Sequence, residues 1–139
     1  MKARSGTITI EVGAGELLDK ITILKIKNQR ITDPAKLENV RNELAVLQRT
    51  WQEALLDSVE VAELEKALEA VNLQLWDIED EIRECEARGD FGERFVELAR
   101  SVYITNDERA RLKKAVKTDS FGCLSVVTIQ CGSGIKRRR

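Results

Sequence analysis

Apolar residues recur three and four apart through the middle of this chain, at Val61, Leu64, Leu68, Val71, Leu75, Ile78, Ile82 and Cys85. That spacing predicts one long helix with a single apolar face, running from about Ser58 to Arg88 and so about 45 Å in length. The segment before it repeats the rhythm at Leu37, Val40, Leu44, Leu47, Trp51 and Leu55. Two such stripes joined by a short turn at Asp57 and Ser58 must be covered, and the pattern predicts an antiparallel helical hairpin. Asp33 and Pro34 open the first of these helices as an N-cap followed by proline at the first helical position. Gly89 is the expected stop of the second.

On the N-terminal side, Thr7-Ile8-Thr9-Ile10-Glu11-Val12 alternates with period two and predicts a short strand. Gly13 and Gly15 break it and lead into a helix from about Glu16 to Arg30. The main stripe of that helix is Leu17, Ile21, Leu24 and Ile31, yet Ile23 and Ile26 fall on the opposite side, where Glu16, Asp19 and Lys20 share the side of Ile23. A helix apolar on two sides is covered on both, which predicts a partly buried Asp19. A buried carboxylate needs a partner, a metal or a proton. The simpler alternative pairs Glu16 with Lys20 one turn on and sets Asp19 against the positive helix N-terminus.

Beyond Gly89, a face formed by Phe91, Phe95, Leu98 and Val102 predicts a short helix. Thr105-Asn106-Asp107 reads as a break with a cap, and Glu108 to Val116 as a last short helix. The expected fold is therefore all-α: an antiparallel long-helix hairpin packed with an N-terminal helix and one or two short C-terminal helices, plus a short N-terminal strand. Residues 1–116 form one domain in this reading. Residues 117–139 are a divergent tail, weakly structured or contributing a strand from the β-prone Leu124–Cys131 that pairs with the first.

Composition narrows the chemistry. Aromatic residues at 4% and charged residues at 34% suit aliphatic helix seams with solvated outer faces, not a sandwich or barrel. The absence of histidine excludes Ser-His and Cys-His nucleophile systems and His-ligated zinc. Any divalent ion would be held mainly by oxygen, which points to magnesium, manganese or calcium. Five cations against Asp119 give the tail a charge of +4, which leaves −5 for the body of a chain whose net charge is −1. An acidic body argues against nucleic acid as a partner. No apolar run is long enough for a bilayer, and no charged-then-apolar leader pattern opens the chain, so no membrane association and a cytoplasmic location are expected. Three cysteines without an evident pairing agree with that compartment.

Three constellations could carry a function. The first is Glu16, Asp19 and Lys20. The second is a stripe beside the long-helix seam, Asn72, Trp76, Glu79 and Arg83, with Asp80 a little further round; tryptophan beside a carboxylate and a guanidinium could line a groove for a planar or phosphorylated ligand. As a plain alternative, Glu79 and Arg83 pair on a helix flank. The third is Arg100, Tyr103, Asn106, Asp107, Arg109 and Lys113, where cations near a helix N-terminus suit an anion. Cys85 reads as a small core hydrophobe. Cys123 and Cys131 make a poor zinc signature, and Lys136-Arg137-Arg138-Arg139 reads as a solvated basic end.

Gly15-Glu16-Leu17-Leu18-Asp19-Lys20-Ile21-Thr22-Ile23-Leu24, Leu75-Trp76-Asp77-Ile78-Glu79-Asp80-Glu81-Ile82-Arg83, and the run from Phe95 through Val102-Tyr103 to Asn106-Asp107-Glu108-Arg109-Ala110 occur in that order. Together they resemble a family of small bacterial helical proteins known as a domain of unknown function. The resemblance spans about Ile8 to Val116, and the tail departs from it. It implies a bacterial, cytoplasmic protein with a link to surface-polysaccharide or glycosyltransferase systems. It also draws attention to the same polar positions, Asn72, Arg100 and Lys113 apart.

The leading expectation is a non-catalytic binding or accessory protein that takes a protein partner or a small anionic ligand and forms a homo-oligomer. The alternative is a magnesium-dependent all-α enzyme acting on a phosphorylated or nucleotide substrate. It requires the two carboxylate pairs, Glu16 with Asp19 and Glu79 with Asp80, to come within about 4–6 Å of a shared ion. A third option uses Lys20, Arg83, Arg109 and Lys113 to hold a dicarboxylate.

Overall fold

A computed structural model describes residues 7–54, 58–116 and 124–130, and side chains within 8–54 and 58–116. Cys123, Cys131, the basic end, Leu55 of the predicted stripe and Asp57 of the predicted turn lie outside the described residues. The chain is all-α, and its described residues form four helices and one two-stranded ribbon: β1 (Thr7–Val12), α1 (Ala14–Arg30), α2 (Pro34–Glu53), α3 (Val59–Ala87), α4 (Glu93–Ala115) and β2 (Leu124–Gln130). β1 and β2 pair antiparallel, Ile8 opposite Ile129 and Ile10 opposite Val127, with a bulge opposite Glu11. The tail therefore does supply a strand.

The helix boundaries follow local chemistry. Asp33 accepts a hydrogen bond from the Ala35 amide with Pro34 in the first turn, and Ser58 accepts one from the Val61 amide. α3 ends where Gly89 takes φ +66°: the Gly89 amide bonds the Glu86 carbonyl and the Asp90 amide bonds the Cys85 carbonyl. That double closure satisfies two end carbonyls, and glycine adopts the left-handed turn without a Cβ penalty.

The two predicted stripes feed one core, but they do not close on each other as the expected hairpin: α1 packs against both α2 and α3, which make little direct contact. Val40, Leu44, Leu47 and Trp51 of α2, Val61 and Leu68 of α3, and Leu17, Leu18, Ile21 and Leu24 of α1 form a single buried cluster. α1 packs directly against α2, α3 and α4, while α3 and α4 form the antiparallel pair that folds back at Gly89. Leu17, Leu18, Leu47 and Leu68 are fully buried, each contributing about 1.5–3 kcal/mol. A second, smaller cluster of Ile78, Cys85 and Leu98, edged by Ile82, Phe95 and Val102, belongs to α3 and α4 alone.

One expected feature is corrected. Thr105-Asn106-Asp107 does not break the C-terminal region, because α4 runs unbroken through it as a single 23-residue helix. Leu98, Thr105 and Leu112, seven residues apart, are all buried. Packing along that line carries the helix through a trio whose side chains otherwise favour caps.

Candidate functional site

α1 and α4 run in opposite senses and touch at glycine. A Cβ built on Gly15 would stand 2.0 Å from the Lys113 carbonyl oxygen, so only glycine lets the backbones approach this closely. One turn further along, Asp19 is buried in the seam, its side chain 1% exposed. Arg109 of α4 grips it with both arms: Nε donates to Oδ1 at 2.9 Å and Nη2 to Oδ2 at 2.5 Å. Asn72 of α3 donates one amide hydrogen to Asp19 Oδ1 and the other to the Thr22 hydroxyl, each at 2.9 Å. The Thr22 hydroxyl in turn donates to the Asp19 carbonyl at 2.7 Å. Lys113 bonds Glu16 at 2.6 Å and stands 3.8 Å from Asp19. Three helices are thus tied through one carboxylate, and among the described residues no buried side-chain polar atom lacks a partner.

The electrostatics follow from that geometry. Burial alone would push the Asp19 carboxyl up. The hydrogen bonds from Arg109 and Asn72 and the charges of Arg109 and Lys113 outweigh burial, and hold it below the usual carboxylate range. The Asp19 hydrogen bond correspondingly raises the Arg109 pKa. Asp19 is a permanent anion near neutrality and a poor proton acceptor.

Beside this clamp, a cleft of about 280 Å³ opens between α1, α3 and α4. Ile23 and Ile26, the second apolar side of α1, form one wall with Lys27; Asn72, Leu75, Trp76 and Glu79 form another, and Asn106 and Arg109 close it. Arg109 spends Nε and Nη2 on Asp19, leaving Nη1 without a partner among the described residues. Lys27 has none among them either. The arrangement joins an aromatic and aliphatic surface to fixed donors and one carboxylate, which suits an amphipathic ligand with an anionic group.

The structure therefore divides the sequence candidates. Asp19, Arg109, Lys113 and Glu16 converge, and Trp76, Glu79 and Asn106 line the adjoining cleft. Glu16 takes Lys113 rather than Lys20, which has no partner among the described residues, so the expected pair along α1 is corrected. Arg83 bonds Asp80 at 3.0 Å and Glu79 at 3.5 Å on the exposed flank of α3. Continuity of α4 places Arg100 and Asp107 on the face away from Arg109 and Lys113, with Tyr103 one turn from Asn106 at the border between the two, so the third constellation splits. The four acids named for magnesium are dispersed among cations, and among the described residues no three acidic or cysteine side chains gather as a metal site requires. Thr22 and Lys27 escaped the sequence reading. Thr22 stands three residues from Asp19 and Lys27 four from Ile23, spacings that place each beside a residue already singled out.

Fold and site together define an all-helical protein with a three-helix clamp beside an amphipathic cleft. Compared with protein-family models, curated proteins and solved structures, the chain matches none. Among the described residues no helix is long and apolar enough to cross a membrane.

Proposed function

We propose that this chain is a non-catalytic binding protein whose cleft between α1, α3 and α4 takes a small anionic ligand. The observation that carries this reading is the cleft itself: Trp76 and the Ile23–Ile26 wall face Arg109, whose guanidinium is already held in place by Asp19. Preorganised donors lose little freedom on binding, which favours recognition. Among the described residues the one fully buried carboxylate, Asp19, is neutralised by cations, which speaks for a scaffold over a reacting base. The sequence resemblance adds the setting, an accessory role beside surface-polysaccharide or glycosyltransferase enzymes in a bacterial cytoplasm.

Thermal stability against nucleotides, nucleotide sugars and sugar phosphates, each with and without magnesium, tests this. A ligand that binds only the native state stabilises it by about 2.7 kcal/mol at a hundred times its Kd. The expected result is a rise in Tm for a subset of anions, independent of magnesium and lost in Trp76→Ala. A panel without any response overturns the reading, and so does turnover of a ligand that binds.

A further inference from the structure

α4 turns one face to α1 and α3 and leaves the opposite face open. Along the middle of that open face stand Glu93, Arg100, Asp107 and Lys114, seven residues apart and so in one row along the helix. Their charges alternate in sign. None of the four side chains has an ion-pair or hydrogen-bond partner among the described residues. Val96 and Tyr103 flank the row on one side and Ile104 on the other, 44%, 59% and 58% exposed.

We propose that this face joins two copies of the chain, paired antiparallel along α4 about a two-fold axis that passes between Tyr103 and Ile104. The argument is charge complementarity with itself. In that register Arg100 lies opposite the second copy's Asp107, and Glu93 opposite its Lys114, so every charge in the row meets its opposite. A slide of seven residues either way sets like charges together, arginine against arginine or aspartate against aspartate at the axis. A parallel in-register pairing sets every charge against its own copy. The row therefore specifies one orientation and one register, as flanking charges do in paired helices. Around the axis Tyr103 meets Tyr103 and Ile104 meets Ile104, which covers the exposed apolar flanks in a closed, isologous contact.

Charge reversal tests this on the full chain by sedimentation velocity over a concentration series. The parent shows a reversible monomer–dimer equilibrium. Arg100→Asp and Asp107→Arg each set two pairs of like charges face to face and weaken self-association by about tenfold or more. The double variant Arg100→Asp/Asp107→Arg recovers the parent's affinity, and an equimolar mixture of the two single variants associates more tightly than either does alone. These side chains are exposed, so far-UV circular dichroism stays at the parent's signal. A parent that is monomeric throughout overturns the proposal. So does a dimer indifferent to both reversals, or one that the reversals weaken and neither the double variant nor the mixture restores.

Discussion

Replacing Arg109 with methionine tests the clamp most directly. The substitution keeps an unbranched apolar stem and removes the guanidinium, and with it both hydrogen bonds to Asp19. It leaves a carboxylate that is 1% exposed, one amide donor from Asn72, and Lys113 at 3.8 Å. Stripping one partner from a buried ion pair costs about 3–5 kcal/mol, because the remaining charge stays buried. Lys113 still offers partial compensation and the Arg109 side chain is itself 27% exposed, so a loss of about 2–3 kcal/mol is expected. The loss carries a pH signature. With Arg109 gone, its hydrogen bonds and charge no longer oppose burial and the Asp19 pKa rises, so the folded variant takes up a proton at a higher pH than the parent does. Urea unfolding of parent and variant near pH 7 and near pH 5 reads both quantities, at unchanged m-value. The deficit should shrink at the lower pH, and adding Asp19→Asn to the variant should recover much of it near pH 7. A deficit below about 1 kcal/mol that is equal at both pH values would refute the argument that Asp19 is a buried charge held by Arg109.

Three further outcomes follow from the same geometry. Gly15→Ala places a methyl group on the Lys113 carbonyl and forces α1 and α4 apart, at a cost of about 1–3 kcal/mol or more, seen as a lower Tm. In the parent, Asp19 is depressed below its ordinary value of 3.8, so its contribution is fully present above that pH. The contribution is lost as pH falls from there through the lower folded value, and an acid titration of ΔG should show that share vanish in Asp19→Asn. Ser58→Ala removes the acceptor of the Val61 amide at the start of α3 and should cost about 1 kcal/mol in chemical unfolding.

Local pattern revealed the helices because burial is periodic along them. Val61, Leu68, Leu75, Ile78 and Cys85 are buried as their spacing requires, and so are Val40, Leu44, Leu47 and Trp51. The two-sided character of α1 was equally legible: Ile26 is 2% exposed and Asp19 is buried. What periodicity could not convey was which distant residue answers Asp19. Arg109 is 90 positions away, and its role depends on α4 continuing through Thr105-Asn106-Asp107. Those three side chains carry a local preference for a helix start, whereas burial of Leu98, Thr105 and Leu112 is a tertiary effect that no short window contains. The same misreading grouped Arg100, Tyr103 and Asp107 with Arg109. A continuous helix sets Arg100 and Asp107 about half a turn, and Tyr103 about a third of a turn, from Arg109, at about 3.6 residues per turn.

The division of the apolar interior into two clusters has a kinetic side. The larger cluster draws on α1, α2, α3 and the end of α4; the smaller belongs to the α3–α4 pair, stitched on its surface by Arg94 and Glu81. Along α3 the two are separated at Asn72 and Leu75, both of which line the cleft. A pair of helices with a small shared interior opens more readily than the body it grows from, so amide hydrogens around Ile82, Cys85 and Phe95 should exchange with solvent sooner than those around Leu17, Leu47 and Leu68. A molecule lodged in the cleft would sit on the joint between these two cooperative units. Occupancy would then slow exchange at the far end of the pair, well beyond the residues it touches, turning a local contact into a mechanical brace along the whole length of α3.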